Sequence, residues 1–163
     1  MSAAGRSEER AHQPEEGLAR TSGSLLVRAV ARLMGPALFV VSIAVLVKGY
    51  TQPGDGFSAG AIAALGLLLR YIVFGREEVE QRIPITVVVP GAMLALLGAL
   101  AIAAVGPALG DPLFTHYPPA GADVVAVGTL ELTTAVAFDV ALYLAILGAA
   151  AGIVHAISAA DDP

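Results

Sequence analysis

The chain has 163 residues, of which 56% are hydrophobic and 14% charged, and a mean hydropathy of +0.77. A soluble domain of this size needs far more charge to cover its surface, so that class is excluded. The formal charge of -5 includes no basic patch with interleaved aromatics, which sets nucleic acid aside. The absence of cysteine excludes disulfides, thiolate metal sites and a cysteine nucleophile.

Residues 1–24 are rich in Ala, Glu, Arg, Gly and Ser and contain no apolar core. They read as a disordered cytoplasmic tail rather than a secretory signal, which requires an apolar run. The first span follows over Leu25–Val47, with a charge-free core from Leu33 to Val47. Arg28, Arg32 and Lys48 extend it by carrying their charges to the headgroups on long apolar stems. The second span runs from Phe57 to Phe74, with Arg70 close to its end. The third, Ile83–Leu109, carries no charge, and Pro84 and Pro90 lie in its first turns, where a missing amide costs least. The fourth runs from about Leu132 to Ile157 and carries Asp139 and His155. These elements define an all-α, polytopic membrane protein with four transmembrane helices. They lie in one membrane domain over residues 25–158, followed by a short tail at 159–163.

The basic residues fall eight to one across the spans. Arg6, Arg10, Arg20, Arg28 and Arg32 precede or open the first span, and Arg70, Arg76 and Arg82 flank the second loop. Only Lys48 lies on the other side. The positive-inside rule therefore places the N-terminus, the middle loop and the C-terminus in the cytoplasm of a multi-pass cell-membrane protein.

Small residues recur at helical spacing: Gly56, Gly60 and Ala64 on the second span, Gly91, Ala95 and Gly98 on the third, Gly148 and Gly152 on the fourth. Such stripes let helices approach closely in lipid. Packing within one bundle and packing inside a larger complex explain them equally well.

The most informative segment is Gly49-Tyr50-Thr51-Gln52-Pro53-Gly54-Asp55-Gly56-Phe57-Ser58-Ala59-Gly60. Pro53 stops the first helix, Gly54 and Gly56 allow a tight turn, and Asp55 or Ser58 can cap the second helix. The glycine spacing does not fit a dinucleotide fingerprint, and no strand precedes it. This segment, with Phe74-Gly75-Arg76-Glu77-Glu78 after it, resembles the B-type (MnhB-like) subunits of the Mrp/Mnh-type multisubunit monovalent cation/proton antiporters. Those proteins usually carry Gly-His-x-x-Pro-Gly-Gly-Gly-Phe-x-x-Gly here, and this chain has Tyr50 for the histidine and Asp55 for the middle glycine. Leu130-Glu131-Leu132-Thr133-Thr134-Ala135, followed by Phe138-Asp139 and Tyr143-Leu144, is similar to the family's last helix.

The resemblance covers roughly Leu25–Ile157. It implies a non-enzymatic subunit of a hetero-oligomer that exchanges sodium, or another monovalent cation, for protons. The expected partners are other antiporter-type membrane subunits, the lipid bilayer, protons and monovalent cations. No cofactor is expected. An equivalent subunit of a membrane-bound hydrogenase or complex I-like machine is the alternative, and a stand-alone small channel or carrier is a third. Whether the subunit contributes to assembly only or also to the ion path stays open.

Among single residues Asp139 stands first. A carboxylate within a span is expensive and usually faces a protein interior or a wet cavity. A carboxyl held out of water keeps its proton more readily, which suits proton or cation exchange; fastening helices through hydrogen bonds is the competing role. Tyr143 lies four residues on, along the same face. Asp55 and Lys48 complete the candidates for an ion path or helix interface, with Asp55 read as a cap or turn residue and Lys48 as an interface residue. Arg70 and His155 read as boundary residues. His116 with Asp111 and Asp123 matches no metal-ligand spacing. Nor does the sequence carry a Ser-His-Asp order, a metalloprotease helix motif or a phosphate loop.

Overall fold

The structure, a computed structural model, describes residues 3–49, 54–118, 126–127, 130–131 and 133–160, with side chains given from Leu25 onward except in two short strands. Helix α1 spans Ala3–Lys48, α2 Gly56–Phe74, α3 Arg76–Glu80, α4 Ile85–Ala103, α5 Val105–Leu109 and α6 Thr134–Ala160. Strands β1 (Ala126–Val127) and β2 (Leu130–Glu131) pair antiparallel in the loop before α6, with Ala126 opposite Glu131. The expected tail concerns residues 1–24, whose side chains lie outside the described residues.

Among the described residues four stretches are long and apolar enough to cross a membrane: Leu25–Lys48, Gly56–Phe74, Ile85–Leu109 and Thr134–Ala160. The chain is a multi-pass membrane protein, and the expected spans sit where the sequence places them. The third differs in one respect, because α4 gives way to α5 at Ala104. Pro107 has no amide to offer the Ala103 carbonyl four residues back, so the α-helical ladder cannot run through unbroken. Glycines with positive φ end two of the elements: Gly75 (φ 83°) after α2 and Gly110 (φ 89°), in the left-handed helical region, after α5.

The helices pack in the order α1–α2–α6–α4, with α2 and α6 central. Small residues set these contacts. A Cβ placed on Gly56 would sit 2.4 Å from the Asp139 carbonyl oxygen, and one on Gly148 would sit 2.5 Å from Ala92 Cβ. Both seams therefore require glycine. The stripe on the third span divides instead. The buried residues of α4 are Ile85, Ala92, Ala99 and Ala103, while a Cβ on Gly91 or Gly98 would meet nothing within 4 Å. Large apolar side chains cover the outside, Ile72 at 74% exposure and Leu33 at 70% among them. Such a surface is stable only against lipid or other helices.

Candidate functional site

Two buried polar residues of the bundle, Asp139 and Ser42, lie toward the end where α1 stops and α2 begins. Asp139 lies five residues into α6, roughly 7.5 Å along its axis at 1.5 Å per residue. Its side chain is 4% exposed, and Oδ2 accepts a 3.0 Å hydrogen bond from the Gly54 amide. Gly54 can aim that amide because it adopts φ 119°, which a side chain would resist. Two neighbouring glycines let the carboxylate in. A Cβ on Gly49 would lie 2.9 Å from Asp55 Cβ and 3.6 Å from Asp139 Oδ2, and Gly56 abuts the Asp139 backbone. The junction thus wraps three glycines around one carboxylate, which ties the turn to α6.

Tyr143, one turn further along α6, is also 4% exposed. Its hydroxyl lies 3.3 Å from Ser42 Oγ, which itself donates a 2.7 Å hydrogen bond to the Phe39 carbonyl. With the serine proton committed to Phe39, the tyrosine is the donor to Ser42. Ser42 is fully buried in α1. The pair joins α1 to α6 across α2, whose Gly60 lies against the Tyr143 carbonyl.

The structure therefore brings Asp139, Tyr143, Gly54, Asp55, Gly56 and Gly60 to one junction. Asp55 occupies the N-cap position of α2, but its side chain makes no capping bond; its backbone carbonyl accepts from Ala59 instead. Phe57 points outward at 60% exposure and takes no part in the seam. Lys48 ends α1 with an exposed side chain. Pro53 and Tyr50 lie outside the described residues. Ser42 escaped the sequence reading, although it is the one polar side chain between Leu33 and Val47.

A second polar cluster lies at the opposite end of the bundle. His155 Nδ1 and Glu80 Oε1 are 2.5 Å apart, and Arg76 Nε donates to the same oxygen at 3.1 Å. Burial pushes the Glu80 carboxyl up, but the hydrogen bonds and positive charges of His155 and Arg76 outweigh it and hold the group below the ordinary carboxylate value. His155 is thus a partnered side chain, and Glu80 went unremarked in the sequence because it sits in a charged, loop-like run.

In the loop before α6, Tyr117 exchanges two backbone-level bonds with Thr134. Its amide donates to Thr134 Oγ1 at 2.8 Å and its carbonyl accepts from the Thr134 amide at 2.9 Å. The Tyr117 hydroxyl donates to the Asp111 carboxylate, and that bond raises its pKa above the ordinary value. Among the described residues no group of three or more His, Asp or Glu is placed to hold a metal ion.

Fold and site together define a four-span membrane protein clasped at one end by a buried carboxylate, with its outer faces left apolar. A family model described as "Domain related to MnhB subunit of Na+/H+ antiporter" matches residues 26–152. The chain belongs to this family. It is 31% identical over 144 residues to the B-type subunit of the Na(+)/H(+) antiporter of Alkalihalophilus pseudofirmus, covering 86% of this chain and 96% of that protein. The corresponding Na(+)/H(+) antiporter subunit of Bacillus subtilis is 25% identical over 140 residues, which is 83% of this chain and 94% of that protein. The fold is also similar to part of the Mrp complex structure from Dietzia sp. DQ12-45-1b, with a TM-score of 0.63 at 24% identity. That match covers 88% of this chain but only 15% of the longer chain it lies on.

Proposed function

We propose that the protein is the B-type membrane subunit of a multisubunit Na+/H+ antiporter, with both termini in the cytoplasm. The observation that carries this reading is the match to a B-type antiporter subunit across 96% of that protein's length. The architecture agrees with a role inside an assembly. The α2–α6 and α6–α4 seams are satisfied within the chain, whereas Gly91 and Gly98 on α4 stand open to a neighbouring helix. The cytoplasmic assignment rests on the eight-to-one distribution of basic residues. No enzymatic activity is assigned; the protein is part of a transporter.

Asp139 is the residue proposed to matter most, as the anchor that holds the α1–α2 turn on α6. Asp139→Asn keeps an oxygen acceptor for the Gly54 amide and removes titration. Normal transport by a complex carrying this change leaves Asp139 as an anchor only; loss of transport with intact assembly adds a proton or cation role.

A pull-down of the tagged chain from its own membranes in mild detergent tests the reading as a whole. Co-purification of large antiporter-type subunits is the expected result. Recovery of nickel or iron–sulfur subunits instead, or of the folded chain alone with sodium flux in liposomes, overturns it.

A further inference from the structure

We propose that Glu80 and His155 form a proton-exchange site at the end of the bundle bearing Arg76 and Arg82, a site that binds one proton from the adjoining water and releases it again. The proposal rests on the antiporter reading for its purpose, but its geometry stands apart from the Asp139 junction.

Three elements build the site. Val79 anchors the short helix α3 into the core with Leu67, Tyr71, Ile85 and Ala151, and that anchor delivers Glu80, the last residue of α3, to His155 on α6. Both side chains stay in reach of solvent, His155 at 33% exposure and Glu80 at 23%. A cavity of about 420 Å³ opens on them, walled by Pro84, Ile85, Thr86, Val89 and Pro90 of the α4 end. A second, of about 580 Å³, reaches Glu80 from the α2–α3 turn. The carboxylate therefore lines both cavities, and His155 lines the first.

The chemistry follows from the partners. Two donors share Glu80 Oε1, so the carboxylate is an acceptor and the histidine hydrogen sits on Nδ1. Nε2 then carries the lone pair, and it has no hydrogen bond to a described residue. A hydronium ion gives its proton to Nε2, leaving water and an imidazolium that faces the Glu80 carboxylate. Release from the same atom to a water restores the start, with no heavy-atom bond changed. Imidazole is the side chain suited to such exchange near neutral pH, and a carboxylate on the other nitrogen sets its tautomer.

The charged and titratable groups around the pair are Arg76 and Glu77 from α3 and Tyr71 from α2, while the α4 wall adds none. Arg82 pairs with Glu78 on the more exposed side of α3, at 3.7 Å. Tyr71 supplies the second observation. It is 94% buried, its hydroxyl lies close to Glu80, and that hydroxyl has no hydrogen-bond partner among the described residues. A buried hydroxyl without a partner is costly, and a water beside Glu80 would satisfy it.

The test uses the complete complex in everted membrane vesicles, where the proposed cytoplasmic face points outward. Efflux of radiolabelled sodium from preloaded vesicles, which draws protons in from the outer medium, is measured from about pH 6 to 8.5 for wild type and His155→Gln, with complex recovery as the assembly control. An exchange site matters most where protons are scarce. The variant should match wild type at the acid end and fall several-fold behind it at the alkaline end. A high concentration of an impermeant zwitterionic buffer should restore it, because the buffer delivers protons in place of the imidazole. A deficit equal at every pH and insensitive to buffer marks a structural contact and overturns the proposal.

Nitrogen-15 spectra of labelled histidine in the wild-type complex give the second arm, with the signal assigned by its loss in His155→Gln. Reversible titration of His155 across the same range supports the site even if the wild-type complex moves no sodium, an outcome that removes only the antiporter reading. A signal fixed in one state throughout overturns the site whatever the transport result.

Discussion

Replacing Gly56 by alanine should separate the two central helices. The added Cβ would sit 2.4 Å from the Asp139 carbonyl oxygen, 2.7 Å from its Cα and 2.9 Å from its carbonyl carbon. All three are backbone atoms, so no rotamer change relieves the clash. Nonbonded heavy atoms settle near 3.5 Å, and α2 must therefore move off α6 by about 1 Å. Overpacking of this kind costs about 1–3 kcal/mol. The same displacement stretches the Gly54–Asp139 hydrogen bond, and bonds to charged groups contribute about 1.5–3 kcal/mol. Alanine returns something under about 1 kcal/mol in helix propensity. A net loss of roughly 2–4 kcal/mol corresponds to an apparent melting temperature lowered by roughly 5–15 °C for a chain of this size. The assay is heating of intact membranes carrying the tagged chain, followed by detergent extraction and quantification of what stays soluble. Gly91→Ala is the control, because its Cβ meets nothing within 4 Å inside the chain. Equal melting of Gly56→Ala and wild type would refute the packing argument.

Ser42→Ala and Tyr143→Phe should each lower stability by about 1 kcal/mol, and the double variant should cost less than their sum, because each removes the same 3.3 Å contact; additive losses in the heating assay would show that the hydroxyls do not interact. Thr134→Val removes the acceptor of the Tyr117 amide and keeps the shape, so the loop before α6 should become susceptible to added protease while the spans stay protected. Protease patterns identical to wild type would count against that bond as the loop's tether. Because Glu80 titrates below its ordinary 4.5 in the folded chain, the stability it contributes is present above that value and is lost as pH falls through the lower folded value. Hydrogen exchange of α3 amides should rise on acidification below about pH 4.5 in wild type and less so in Glu80→Gln. Equal acid response in both would refute the linkage.

The legible part of this protein was its one-dimensional part. Uninterrupted apolar length fixes which segments enter a bilayer, because an unpaired backbone in hydrocarbon is prohibitive and helix is the local answer. The Gly54-Asp55-Gly56 turn, the family resemblance and the depth of Asp139 were all readable for the same reason: each depends on neighbours in sequence. Tertiary structure alone decided the rest. Gly56 and Gly91 are the same residue in similar apolar helices, yet one is wedged against Asp139 and the other stands open. Their difference lies in which faces α2, α4 and α6 turn to one another. Likewise Asp139 found Gly54 across 85 residues, and His155 found Glu80 across 75. No periodicity encodes a pairing between distant helices, since helical spacing fixes the face a residue occupies but not the partner that covers it.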